Sequence, residues 1–112
     1  MRLIYVCSPY RGETKKDVKK NIKNARMYCR YVCEHGGIPL APHLLFPQFL
    51  NDADPTERRL GLRMGIMLLA CCEELWVFGK PSIGMAGEIA WAMKLGILIR
   101  WLDSKEVKGR DE

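Results

Sequence analysis

The sequence predicts an α/β fold of the Rossmann-like or flavodoxin-like kind, a single three-layer domain with a parallel sheet of about four strands. Three observations carry that expectation. Short apolar runs alternate with helical ones in the order strand, helix, strand, helix, strand, helix, strand, which implies right-handed crossovers and parallel pairing. The first run is continuously apolar and partly β-branched, as a buried strand is. At 112 residues, 48% hydrophobic and 28% charged, the chain has enough apolar material to cover both faces of one small sheet.

The elements follow in order. Arg2 to Cys7 (RLIYVC) is a strand broken at Ser8 and Pro9, where proline ends regular pairing. Thr14 and Asp17 stand at capping-box spacing, and Val18, Ile22, Ala25, Cys29 and Val32 then share one face of a long amphipathic helix. His35, Gly36 and Gly37 stop it: glycine takes the left-handed cap conformation, and His35 sits at the favourable end of the helix dipole. Ile38 to Ala41 is a brief second strand, and Pro42 and His43 open a proline-containing loop that runs through Pro47 to about Ala53.

Asp54, Pro55 and Glu57 supply an N-cap, a first-turn proline and a capping-box acid for a helix through Leu60, Met64, Met67, Leu68 and Cys71. Leu62, Ile66 and Leu69 add a second apolar stripe, which reads as a self-association surface and predicts a homodimer or higher homo-oligomer. Glu73 to Phe78 is the third strand, Gly79 to Gly84 a glycine-bearing loop, Met85 to Leu95 a helix and Gly96 to Trp101 a fourth strand. Beyond Leu102 the chain turns polar and is expected to fray, so residues 1–102 read as the domain and 103–112 as a tail.

Charge and cysteine usage narrow the partners. The net charge is +5, but eight of the eighteen Lys and Arg residues fall between Arg11 and Arg30. Most of those lie on a helix whose other face is apolar, so they read as a solvated face. No aromatic residues interleave with them as a base-stacking platform requires, so a nucleic-acid partner is not expected. Five cysteines make a poor disulfide framework, and neither His35 nor His43 falls at a zinc-ligand interval from them. Buried reduced thiols, a cytoplasmic location and no metal are expected. The longest apolar stretch, Ile66 to Cys72, is far short of the about 20 residues a membrane span needs, and no signal peptide is read at the start.

In sheets of this kind ligands bind beyond the carboxyl ends of the strands, at the switch in strand order. There the sequence places Ser8, Pro9, Tyr10, Arg11 and Gly12 after strand one, and Lys80, Ser82, Gly84, Met85 and Glu88 after strand three. KPSIGMAGE runs from strand to helix start, where N–H groups, the Ser82 hydroxyl and the helix dipole can hold a phosphate, although a glycine turn without a ligand explains it equally well. Glu88 can simply complement the dipole, yet a carboxylate beside an anionic ligand is an odd choice unless it has chemical work to do. Tyr5 reads by default as a core aromatic whose hydroxyl can orient a carboxylate. Arg11 can pair with a phosphate and His43 can serve as acid, base or polar contact, beside the plainer readings of a surface arginine and a capping histidine.

These residues carry a resemblance. Through IYVCSPYRG, IPLAPHLLFP, CCEELWVFG and above all PSIGMAGEIAWA, the chain resembles the nucleoside 2-deoxyribosyltransferase-like superfamily over almost its whole length. That superfamily includes the 2′-deoxynucleoside 5′-monophosphate N-glycosidases and small, often phage-associated relatives. The resemblance implies that Glu88 is a nucleophile attacking C1′ of a deoxyribose, that Tyr5 positions it, and that Ser82, six residues before the glutamate as in the hydrolase branch, contacts a 5′-phosphate. It implies a nucleotide or nucleoside as ligand, no cofactor, and an oligomer in which a neighbour completes the pocket. One departure stands out. Active relatives carry an aspartate on the helix before strand three, to help protonate the base, and here LGLRMGIMLLACC has no acid. His43, Asp52 or a partner subunit would have to substitute. The alternative function is a non-catalytic module that captures a nucleotide or nucleotide-derived signal; a DNA-binding role for the Lys15 to Arg30 face ranks last.

Overall fold

The first strand, β1 (Arg2–Cys7), sends alternate side chains to two covered faces of the sheet, and the rest of the fold is arranged around it. The computed structural model describes residues 1–103 and 105–107. After β1 come α1 (Lys15–Glu34), β2 (Gly37–Leu40), a short α2 (Pro42–Leu45), a 3-10 turn (Phe46–Gln48), α3 (Pro55–Ala70), β3 (Glu74–Phe78), α4 (Ile83–Leu95) and β4 (Leu98–Leu102). All pairings are parallel and the strand order is β2-β1-β3-β4. The expected three-layer α/β fold is therefore the one observed.

Parallel strands covered by helices on both faces are apolar at consecutive positions. Ile4, Val6, Trp76 and Phe78 pack with Tyr28, Tyr31 and Val32 of α1 on one side. Tyr5, Cys7, Leu75 and Val77 pack with Leu69 of α3 and Met85, Ile89 and Ala92 of α4 on the other. The chain leaves β1 toward β2, then returns to place β3 on the opposite side of β1. The crevice at this switch point opens between the carboxyl ends of β1 and β3.

Capping explains where the helices begin. Thr14 Oγ1 accepts from Asp17 N at 3.1 Å while Thr14 N donates to Asp17 Oδ2, which completes the expected capping box. At the other end of α1, Gly36 takes φ 80° and His35 Nδ1 donates to Tyr31 O at 2.8 Å. Asp54 Oδ1 accepts from Thr56 N and Glu57 N, with Pro55 in the first turn of α3. Glu57 does not close the expected box; its Oε1 accepts from Asn51 N at 3.0 Å, tying the preceding loop to the helix.

Several expectations need correction. The stretch read as a loop from Pro42 is helical as far as Gln48, because Pro42 sits in a first turn whose missing N–H costs nothing. Helix α4 starts at Ile83, two residues earlier than expected, because Ser82 is its N-cap. It ends at Gly96 with φ 73°, which moves β4 to Leu98–Leu102. The largest change is the orientation of α3. Of the face expected to lead, Leu60 and Met67 are exposed and Met64 is only half-buried. Gly65 and Leu69 are buried instead. Past β4, Lys105 to Val107 form a helical turn and Val107 joins the core beside Ile4 and Trp76, while residues 104 and 108–112 of the expected tail lie outside those described. Among the described residues no helix is long and apolar enough to cross a membrane.

Candidate functional site

A cleft of about 890 Å³ lies over the carboxyl ends of β1 and β3, walled by α3, α4 and the segment from Pro42 to Asp52. Its centre is Glu88, in the second turn of α4, with a side chain only 16% exposed. The Tyr5 hydroxyl donates a hydrogen bond to Glu88 Oε2. Cys7 Sγ lies 3.7 Å from Oε1, and His43 Nε2 lies 3.9 Å from the same oxygen. One carboxylate oxygen is thus held by a phenol, while the other meets only a weak thiol donor and a more distant imidazole.

Burial, followed by the Glu88 charge, pushes the Tyr5 phenol well above its usual range. The same two causes, in the same order, push up the Cys7 thiol. Both groups therefore keep their hydrogens and act toward the carboxylate as donors. Tyr10 is also raised, by burial first and Asp52 second, with Arg11 opposing. The Tyr10 and His43 rings stack at 5.0 Å between centroids, which fixes the imidazole plane beside the carboxylate. Arg11 Nε pairs with Asp52 Oδ2 at 3.0 Å, joining the loop after β1 to the chain before α3. Asn21 of α1 holds that loop by donating to Tyr10 O and Arg11 O.

The start of α4 forms the other end of the cleft. Ser82 Oγ accepts from Met85 N at 3.4 Å, and the Ser82 carbonyl accepts from Ala86 N. The Ile83 and Gly84 N–H groups belong to the helix turn that has no intrahelical acceptors, and the Ser82 hydroxyl hydrogen remains available as a third donor. The Met85 N–H is already used by the cap, while its buried side chain forms part of the wall.

Of the residues singled out from sequence, Tyr5, Ser8, Tyr10, Arg11, His43, Ser82, Gly84, Met85 and Glu88 all line this cleft. Pro9 and Gly12 do not. Gly12 lies against the Asp17 side chain, so the missing Cβ serves the start of α1 rather than the cleft. Three contributors escaped the sequence reading. Cys7 shares a strand face with Tyr5, and two-residue spacing would have found it. Gly65 backs the Tyr5 hydroxyl: a Cβ there would lie 3.7 Å from it. Arg58 stands on the same face of α3 and also lines the cleft.

Residues 2–102 match the family described as Domain of unknown function (DUF7768). The chain belongs to that family. No curated protein matches this DUF7768 domain. Among solved structures it is similar to a 2-deoxyribosyltransferase from the psychrotolerant bacterium Bacillus psychrosaccharolyticus, with a TM-score of 0.67 and 15% identity. The likeness covers 90% of this chain and 72% of that one, and at this identity it is a likeness of fold. The DUF7768 domain thus shares its α/β architecture with that enzyme.

Proposed function

We propose that this domain cleaves or transfers the N-glycosidic bond of a (deoxy)nucleoside 5′-monophosphate, with Glu88 as nucleophile. The observation that carries the reading is a cleft-lining carboxylate held on one oxygen by a protonated tyrosine, six residues beyond a serine that caps the same helix. The fold shared with a 2-deoxyribosyltransferase adds support. Ser82 and the N–H groups of Ile83 and Gly84 would hold the phosphate, with Arg11 turning from Asp52 to join them.

In the first step Glu88 Oε1 bonds to C1′ and the bond from C1′ to the base nitrogen breaks, its electron pair leaving with the base. In the second, water or another base attacks C1′ and frees the carboxylate. A base that leaves as a neutral molecule needs a proton, and such help is commonly worth about 100-fold or more. His43 is placed to supply it, 3.9 Å from Oε1.

A second reading is that the domain binds a nucleotide without turning it over. It is favoured by the cleft face of α3, which beyond Glu57 in its first turn, already tied to the Asn51 N–H, carries Gly61 and Gly65 and no acid. One assay separates the two readings. Purified protein is incubated with deoxynucleoside monophosphates and nucleosides, and free base is followed by chromatography beside Glu88→Ala. Base release abolished by the substitution supports the enzyme; calorimetric binding without release supports the binding module. The stripe expected to mediate self-association, Leu62, Ile66 and Leu69, lines the cleft instead, with Leu69 buried; we propose self-association through the exposed Leu60 and Met67, which light scattering of the purified protein tests.

A further inference from the structure

We infer that Asp52 is a specificity determinant of the cleft: its ion pair with Arg11 is a latch that a 5′-phosphate displaces and an unphosphorylated nucleoside leaves closed. The inference rests on the nucleotide reading above and adds to it the residue that holds Arg11 until a phosphate arrives.

Arg11 Nε donates to Asp52 Oδ2 at 3.0 Å, and both residues line the cleft. The backbone on each side is held in place. Asn21 Nδ2 donates to the Tyr10 and Arg11 carbonyls, which fixes the loop after β1. Across the cleft, Asn51 N donates to Glu57 Oε1, while Asn51 Oδ1 and the Asn51 carbonyl accept from Ala53 N and Asp54 N. Parting the pair therefore takes only rotation of two side chains, with no movement of either segment. Arg11 follows β1 and Ser82 follows β3, neighbouring strands whose carboxyl ends open on the same cleft, so an anion at the start of α4 lies across the crevice from the guanidinium.

The pair is built to exchange. Its side chains are 55% and 42% exposed, and ion pairs exposed to this degree change an equilibrium by only about two- to fivefold. The contact uses one of the five N–H donors of the guanidinium. A phosphate can take two of them at once and carries close to two charges at neutral pH, so it is the stronger partner. One guanidinium cannot hold a phosphate dianion and the Asp52 carboxylate side by side without pressing like charges together, so gaining the first means releasing the second. Asp52 is not stranded by release. Burial first, and the Asp52 charge second, push the Tyr10 phenol up, so it keeps its hydrogen near the freed carboxylate. A nucleoside without a phosphate has nothing to offer Arg11 in exchange, and the latch stays shut.

The test is a double-mutant cycle read by calorimetric titration, in a Glu88→Gln background so that no ligand is consumed, with the common 2′-deoxynucleoside 5′-monophosphates and the matching nucleosides. Asp52→Asn should tighten the monophosphates about two- to fivefold and leave the nucleosides unchanged. Arg11→Ala should weaken the monophosphates about tenfold. With Arg11→Ala already present, Asp52→Asn should have a smaller effect, because no latch remains to open. Equal tightening in both backgrounds overturns the inference, since Asp52 would then act only by repelling the ligand. So does an unchanged affinity. Weakening by Asp52→Asn overturns it as well, and would make the carboxylate a support that aims Arg11. Each of these results, obtained with monophosphates that bind, leaves the nucleotide reading in place; binding of no monophosphate overturns both. If the cycle shows the expected coupling but the unsubstituted protein releases no base, this inference stands and only catalysis falls.

Discussion

The Tyr5 hydroxyl of the first strand donates to Glu88 Oε2 of the last helix, joining residues 83 positions apart in sequence. The phenol is 2% exposed and the carboxylate lies in the cleft wall, so the bond sets the direction in which the other oxygen, Oε1, is offered.

Tyr5→Phe removes that donor and leaves the ring's packing in place. For the proposed reaction, kcat should fall by about 10-fold to 100-fold with KM little changed, because the lost interaction orients the nucleophile rather than holding the ligand. Steady-state kinetics with circular dichroism as a folding control measures this. A rise in KM at constant kcat would assign Tyr5 to ligand binding instead.

Ser82 has two separable tasks. Its oxygen caps α4 by accepting from Met85 N, and its hydrogen is free for a ligand. Ser82→Ala should destabilise the domain by about 1 kcal/mol, and Ser82→Gly by less, as substitutions at an N-cap do. Both should weaken nucleoside monophosphates by about tenfold while leaving nucleosides nearly unchanged. Parallel denaturation and calorimetry separate the tasks. Equal weakening of nucleosides and nucleotides would remove the phosphate contact.

Alkaline pH should destabilise the fold. Burial and the neighbouring Cys33 push Cys29 from 9.0 to about 11. Burial and Cys71 do the same to Cys72. Tyr5 is raised further still from 10.0, by burial and then Glu88. The unfolded chain therefore loses protons that the folded chain keeps, and deprotonation favours unfolding. This contribution is fully present below about pH 9 and is lost progressively above it, as the thiols and then the phenol would ionise in the unfolded chain. Thermal midpoints between pH 7 and 11 record the effect, and above pH 10 the Tyr5→Phe midpoint should fall less steeply than that of the unsubstituted protein. Parallel curves would show that Tyr5 does not contribute.

Gly37 opens β2 where the strand meets α1. A Cβ there would stand 2.7 Å from Ile4 Cγ1 and 2.8 Å from Val32 Cγ1, both on buried core side chains. Gly37→Ala should cost about 1–3 kcal/mol through overpacking. Urea denaturation gives the value, and an unchanged midpoint would mean that the core yields there.

The site was partly legible in sequence. PSIGMAGE after an apolar run places a serine at a helix start and a glutamate in its second turn, and both positions depend on neighbours in the chain. Tyr5 by itself reads as a core aromatic, and only the resemblance set it beside Glu88. Arg58 gave no signal, because an arginine in the first turns of an exposed helix has nothing local to distinguish it.

The sequence by itself determined the strands, the order of elements, and the caps at Thr14 and Asp54, because periodicity and capping are contests among residues a few positions apart. It did not determine which face of α3 turns inward. That helix is apolar nearly all round, so the pattern of hydrophobicity cannot choose between Leu60, Met64 and Met67 on one side and Gly61, Gly65 and Leu69 on the other. Tertiary packing decided: the helix sets Gly65 against the Tyr5 hydroxyl, where a position without a side chain fits, and Leu69 beside it in the core. The return of the chain that lays β3 beside β1 likewise brought together Tyr5, Cys7 and Glu88, which no local rule links.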